Sequence, residues 1–288
     1  MCTARLRCRR GGDSLPVGLR LAPGCAQAAR GILRSMRRTN SVPDDTQSIL
    51  GQVEGPGADN IFPERATNAV WAVVPLKSPD AAKSRLAIGL DPRTRRRLFF
   101  AMARQAVRTL VHTPGIAGVA VVTASAEVAA CAQREGAALI RQDRDAGTAE
   151  ACRSAAEQMS ASADALLMIS GDIPLISTAA IAALVDSRGR APSVAIVPDR
   201  RRSGTNALLC TPPAVISPCF GPDSFRRHLA AARNRGVEAR IIESAALSLD
   251  IDDLEDLDEL RRRLDADPAL LPPELREALL RREKEPAQ

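Results

Sequence analysis

The chain alternates between short, densely apolar runs and longer stretches in which apolar residues recur every three or four positions. Residues 69–76 (AVWAVVPL), 119–123 (VAVVT), 137–141, 165–169 and 194–198 are the apolar runs. Their lack of polar alternation is expected of strands buried on both faces. Between them lie segments of helical period at 92–112, 126–135, 149–160 and 178–186. Punctuation falls where these should begin and end. Asp91-Pro92 offers an N-cap followed by proline at the first helical position, Pro114-Gly115 stops that helix, and Gly136 stops the next. The resulting βαβαβαβαβ order predicts an α/β fold with a mostly parallel, doubly wound sheet.

After Pro198 the rhythm changes. Arg200 to Gly204 reads as a turn, and 205–210 (TNALLC) as a strand that returns antiparallel. Residues 220–234 read as a helix entered through Gly221-Pro222-Asp223-Ser224 and closed by Gly236. Short strands are expected at 238–242 and 246–249, then a helix at 254–264 and an amphipathic helix over 270–284. No apolar run approaches the roughly 18 residues that cross a membrane, so no membrane partner is expected. The expected layout is a basic extension over 1–67, an α/β domain over 68–265 and a C-terminal helical extension over 266–288.

Composition sharpens this picture in two places. The core must be aliphatic: hydrophobic residues make up 45% of the chain but aromatic ones only 2%, with one Trp (Trp71) and no Tyr. The formal net charge of +6 belongs to one end. Residues 1–40 hold nine Arg and a single acid, Asp13, while the remainder is slightly acidic. Such a tail touches phosphates without sequence preference, but the body lacks rings on which bases stack. No specific nucleic-acid partner is therefore expected. Residues 1–67, rich in Gly, Pro, Arg and Ser, read as mostly disordered and transit-peptide-like in composition. Seven Cys, with no CxxC pair, point to a reducing, cytoplasmic setting. Two His do not furnish a histidine zinc site.

Candidate chemistry gathers at strand ends. Asp172 follows the run 165–169 in LLMISGDIP, and Asp250 and Asp252 follow the strand expected at 246–249. Any one Asp in such a place serves as an N-cap, and for Asp253 that is the preferred reading. Three carboxylates at one rim repel unless a cation lies between them, and Mg²⁺ suits hard oxygen ligands shared with phosphates. Lys77, Lys83 and Arg85, after the first strand, would counter phosphate charge. That loop is neither a Walker P-loop nor a GxGxxG fingerprint. Gly221 to Ser224 is an ordinary helix cap or an anion site at a helix start. Ser203-Gly204-Thr205-Asn206 is a turn or a small polar cradle for a carboxylate. No GxSxG is present, and neither His neighbours a Ser or Cys that could act as nucleophile. A phosphate monoester, with its second pKa near about 6, attacks without a general base. Positioning and charge neutralisation then carry the catalysis.

Taken in order, VPLKSPDAAKSRL, SGDIPLIS, PDRRRSGTNALL, FGPDSFRRHL and LSLDIDDLEDL resemble the guanylyltransferases of coenzyme F420 biosynthesis, over about residues 69–264. The resemblance implies a nucleotide-diphospho-sugar transferase (glycosyltransferase-A-like) fold. It implies transfer of GMP from GTP to a phosphorylated three-carbon acid (2-phospho-L-lactate, phosphoenolpyruvate or 3-phospho-D-glycerate) with release of pyrophosphate. By position, Asp172, Asp250 and Asp252 would hold Mg²⁺, and Thr205, Gly221 and Ser224 the acid. Lys77, Lys83 and Gly147 would contact the nucleotide, with Asp172 and Lys77 as the catalytic pair. The oligomeric state stays open, with a homodimer as one option. Two positions depart from the family pattern: Asp223 stands before Ser224 where Gly is usual, and Gly147-Thr148-Ala149-Glu150 replaces a GxN-type segment. Two rivals stay open. A molybdenum-cofactor or sugar-phosphate nucleotidyltransferase would carry an LxGGxSxRxG first loop, which is missing. A non-catalytic nucleotide-binding module would have no need of all three acids.

Overall fold

The computed structural model describes residues 69–79 and 83–280. The apolar runs become strands β1 (Val70–Pro75), β2 (Ile116–Thr123), β3 (Ala138–Arg141), β4 (Ala165–Ile169) and β5 (Ser193–Pro198), followed by β6 (Thr205–Thr211) and β7 (Arg240–Ile241). The helices are α1 (Pro92–Val111), α2 (Ala126–Arg134), α3 (Thr148–Met159), α4 (Thr178–Asp186), α5 (Ser224–Asn234), α6 (Leu254–Ala266) and α7 (Pro273–Leu280). All seven strands form one sheet in the order β3-β2-β1-β4-β6-β5-β7. β1 to β4 are mutually parallel, and β7 is parallel to β5. β6 alone runs in reverse, inserted between β4 and β5 rather than appended at an edge.

Alternate strand residues face opposite ways, and the two faces bury different helices. Val70, Ala72 and Val74 join residues of α1, α2 and α4. Trp71 and Val73 join residues of α3 and α5. This is the doubly wound arrangement expected from the alternation of elements. A third cluster lies beyond the sheet's end: Leu98 and Met102 of α1, Leu257 and Leu260 of α6, and Leu271 and Leu275 at α7. It also takes in Leu86, Leu175, Leu249 and Ile251, which root three separate loops in one apolar floor. The start of α1 is as its sequence suggests. The Asp91 carboxylate accepts from the N–H groups of Arg93 (2.8 Å) and Thr94 (3.0 Å), with Pro92 at the first helical position.

Three expectations need correction. Residues 246–249 are a turn, not a strand. The N–H groups of Leu247 and Ser248 both donate to the Ser244 carbonyl (3.2 and 2.9 Å), and Leu247 and Leu249 are fully buried anchors. Their alternation with polar residues comes from pinning a bend, not from a ladder. Of 238–242, only Arg240–Ile241 pairs with β5. The final helix starts at Pro273, after a single 3₁₀ turn, Pro268–Leu270. The reading of residues 1–67 and the end of the expected 270–284 helix lie outside the described residues. Among the described residues no helix is long and apolar enough to cross a membrane. Cys131, Cys152 and Cys210 are buried free thiols, and Cys219 is a half-buried one.

Candidate active site

The reversal of β6 brings its first residues to the rim where the parallel strands end. Ser170, just past β4, donates its N–H to the Asn206 carbonyl at 2.9 Å. A cleft of about 700 Å³ opens at this rim, lined by Lys77, Lys83, Arg85, Asp172, Thr205, Asn206, Gly221, Ser224, Asp250 and Asp252, among others. That volume suits a small-molecule ligand, and the place is where open α/β sheets bind ligands. The structure thus brings together every residue singled out except Gly147. Gly147 lines a smaller adjoining recess with Pro75, Lys77 and Thr148.

The acidic corner is assembled by backbone. Gly171 lets the loop after β4 settle onto the end of β1; a β-carbon there would collide with the Leu76 side chain. The Asp172 carbonyl accepts the Ile251 N–H at 3.2 Å, stitching the two acidic segments together. Ile251 is fully buried in the floor, and both Asp250 and Asp252 line the cleft. Asp172 is no helix cap, since Ser177 caps α4. Asp253 is one, forming a reciprocal capping box with Asp256. Asp256, almost fully buried, also accepts the Asp252 N–H at 3.1 Å and is paired with Arg200 and Arg201.

The counter-charge at this corner is Lys83. Its ammonium bonds to Asp172 and lies 3.3 Å from Asp252 Oδ1, with only 6% of its side chain exposed. Burial alone would lower its pKa, but Asp172, Asp252 and Asp250 together hold it above its ordinary value. Asp250 shows the strain of the gathering. Burial first, then the charges of Asp172 and Asp252, push its carboxyl up to about 7, against a hydrogen bond from Asn206 Nδ2 at 3.2 Å. Asp172 Oδ1 is buried with no hydrogen-bond partner. Among the described residues, no three His, Cys, Asp or Glu side chains form a ready-made metal cage. Lys83, expected at nucleotide phosphates, instead faces the carboxylates here.

The opposite wall is built from two loops. Asp199 accepts from Ser203 N–H (2.8 Å), Ser203 Oγ (3.0 Å) and Gly204 N–H (2.8 Å), folding the turn that delivers Thr205. The Ser203 carbonyl then accepts the Phe225 N–H at 3.3 Å, joining this turn to the start of α5. Ser224 donates its N–H to the Gly221 carbonyl at 3.1 Å. The N–H groups of Ser224 and Phe225 at this helix start are therefore already bonded, and the hydroxyl-bearing Thr205 and Ser224 are among the polar residues of this wall. Gly221, at φ 111°, has open space where a side chain would go. Asp223 is no ordinary cap. It sits in the left-handed region at φ 56° with its carboxylate on Arg226 Nε at 2.9 Å. That conformation suits glycine, and Asp is among the residues that tolerate it. Lys83 (φ 59°) and Arg202 (φ 54°) are the other non-glycine residues in this region, among those described.

Asn206, expected only as part of a polar turn, holds Asp250 and the Leu247 carbonyl (2.9 Å). Two further contributors escaped sequence reasoning. Asp256 pins the acidic loop. His228, fully buried, touches Thr205 Oγ1 through Nδ1 at 2.9 Å and accepts the Cys219 N–H on Nε2 at 2.7 Å. Its four-residue spacing from Ser224, which puts both on one helix face, was the available signal.

Burial, with a smaller push from Arg227, holds the His228 imidazole down at about 4, against an ordinary 6.5. The unfolded chain therefore takes up a proton as pH falls below 6.5, and the folded chain does not until about 4. Stability from this group is complete above the unfolded value and is lost downward through that window, to a total of about 3 kcal/mol. Urea unfolding between pH 7 and 4 should show this loss in the parent chain and a smaller one in His228→Asn.

Residues 70–263 match the family model described as guanylyl transferase, CofC-like. The phosphoenolpyruvate guanylyltransferase of Rubrobacter xylanophilus is 43% identical over 195 residues, spanning 67% of this chain and 93% of that one. The 2-phospho-L-lactate guanylyltransferase of Methanothermobacter thermautotrophicus is 32% identical over 189 residues, spanning 66% and 82%. A solved nucleotidyl transferase from the same genus superposes with a TM-score of 0.53 at 19% identity, covering 69% of this chain and 99% of its own.

Proposed function

Because this chain belongs to the CofC-like guanylyl transferase family, and so is a nucleotidyltransferase, we propose that it transfers GMP from GTP to phosphoenolpyruvate or a closely similar phosphorylated three-carbon acid. The observation that carries this reading is the single cleft in which an acidic corner faces a wall of small hydroxyl-bearing residues across a lysine-bearing loop. The acid's phosphate oxygen forms a bond to the α-phosphorus of GTP, the bond from that phosphorus to the β-phosphate bridging oxygen breaks, and pyrophosphate leaves. The attacking phosphate is largely dianionic at neutral pH, so no residue need remove a proton. This agrees with the cleft lining, which among the described residues includes no His or Cys.

The acidic corner fits a divalent cation. Its donors are all hard carboxylate oxygens, one of them, Asp172 Oδ1, buried without a partner. Asp172, Asp250 and Asp252 would hold the ion, in place of the Lys83 contacts. What Mg²⁺ would supply there is neutralisation of triphosphate charge. Lys77, exposed at the rim, and Lys83, once released, would meet the phosphates, while Thr205, Gly221 and Ser224 receive the acid. Gly147, in the adjoining recess, would border the nucleotide. Asp223 leaves room for the acid because its charge is engaged by Arg226.

The test is pyrophosphate release by purified protein with Mg²⁺. Turnover is expected with GTP only when a phosphorylated three-carbon acid is added, and fastest with phosphoenolpyruvate among the three acids assayed side by side. Equal turnover with CTP, or with a sugar phosphate as acceptor, would overturn the proposal and favour the sugar-phosphate reading.

A further inference from the structure

His228 lies outside the cleft lining, yet it determines what the cleft offers. Its ring is fully buried and packs edge-on against Phe220, with centroids 5.0 Å apart. Each ring nitrogen has one partner. The Cys219 backbone N–H donates to Nε2 at 2.7 Å. A backbone amide is only a donor, so Nε2 must carry a lone pair and no proton. A neutral imidazole has a single N–H, which then sits on Nδ1. Nδ1 faces Thr205 Oγ1 at 2.9 Å. The direction of that bond follows: the imidazole donates and the hydroxyl oxygen accepts. Burial keeps the ring neutral through the physiological range, so this tautomer persists.

Thr205 has one hydroxyl proton, and the bond from His228 leaves that proton unused. Thr205 is nearly fully buried but borders the cleft. We infer that His228 is a positioning residue that fixes the Thr205 hydroxyl as a donor into the cleft, making this wall selective for an acceptor-only oxygen such as that of a fully ionised phosphate or carboxylate. The inference rests on the reading of Thr205 as a residue that receives the acid, and it adds a stated polarity to that contact. The imidazole also bridges two segments, the residue before Phe220 and the first residue of β6. The orientation of the hydroxyl is thereby tied to the loop that carries Gly221.

The tautomer is read in the unmutated protein by ¹⁵N NMR of the imidazoles. Only two histidines are present, and His112 is exposed at the end of α1, so assignment is direct. A proton on Nδ1 of His228 is expected; a proton on Nε2 overturns the inference. The functional arm compares variants. Removing the donor in His228→Leu should raise the KM for the acid about tenfold, the scale of one hydrogen bond to a charged group, with the KM for GTP unchanged. His228→Asn, whose amide can reach toward Thr205 from the Nδ1 side, should recover most of that loss. In a Thr205→Val background, His228→Leu should add nothing further. A raised acid KM in Thr205→Val alongside an unchanged one in His228→Leu would sink the role of His228 and leave Thr205 as an acid-binding residue. An unchanged acid KM in Thr205→Val would sink the underlying reading instead, while the NMR result still reports the tautomer.

Discussion

Asp172→Asn should abolish most turnover, lowering kcat by about a thousandfold, the several kcal/mol associated with losing a cation's grip on the transferred phosphates. The isosteric change keeps the loop's shape and removes only the charge. The main-chain bond from Ile251 N–H to the Asp172 carbonyl survives it, as does the floor formed by Leu175, Leu249 and Ile251. The fold should be retained. Asp250, whose carboxyl is held up in part by the Asp172 charge, is relieved of one repulsion, but the buried Lys83 loses its nearest counter-charge and keeps only Asp252 at 3.3 Å, so stability without metal should fall while the fold persists. The check pairs pyrophosphate release with a urea unfolding curve. Unchanged turnover in a folded variant would remove Asp172 from the reacting centre.

Lys83→Met should destabilise the metal-free protein and make its stability strongly dependent on divalent ions. In the parent, the ammonium neutralises Asp172 and Asp252 from an almost fully buried position. Deleting one partner of a fully buried pair costs about 3–5 kcal/mol because the other charge is left uncompensated; with the Asp172 and Asp252 side chains 27% and 50% exposed, the loss should be well below that. Here the loss has a ceiling. Asp250, already pushed up to about 7, takes up a proton and removes part of the repulsion. The deficit should therefore be smaller at pH 6 than at pH 8. Added Mg²⁺ should restore more stability to the variant than it gives the parent, since in the parent the ion must displace a lysine. Unfolding midpoints with and without Mg²⁺ at both pH values measure all of this. Equal stability of variant and parent at pH 8 without the ion would show that the lysine does not compensate the acids.

Much of the architecture could be read from residue order, because burial on both faces leaves a strand few options. The strands β1 to β5 come from short, densely apolar runs, and Asp91-Pro92 and Pro114-Gly115 are unambiguous punctuation. The segment 246–249 misled because two anchoring leucines in a bend produce the same alternation as a half-buried strand. Its carbonyl partner, Asn206, is some forty residues away and leaves no local trace. The acids of the candidate site were legible from residue type and from their place after apolar runs. The direction in which Lys83 points was not. A lysine in a loop is equally suited to a phosphate and to a carboxylate, and which it meets depends on a contact between residues 83 and 172 that no periodicity encodes. His228 was hidden for a similar reason. A lone histidine on a helix is most often an ordinary core residue, and its meaning here depends on what touches each of its two nitrogens.

The three side-chain-bearing bends at Lys83, Arg202 and Asp223 have a consequence for how ligands are met. Glycine at such a place wanders over a broad basin, whereas a β-carbon confines the chain to a narrow well at about 1–2 kcal/mol of standing strain. At these three residues the backbone has less freedom to surrender when a ligand docks, so less of the contact energy is spent on ordering them.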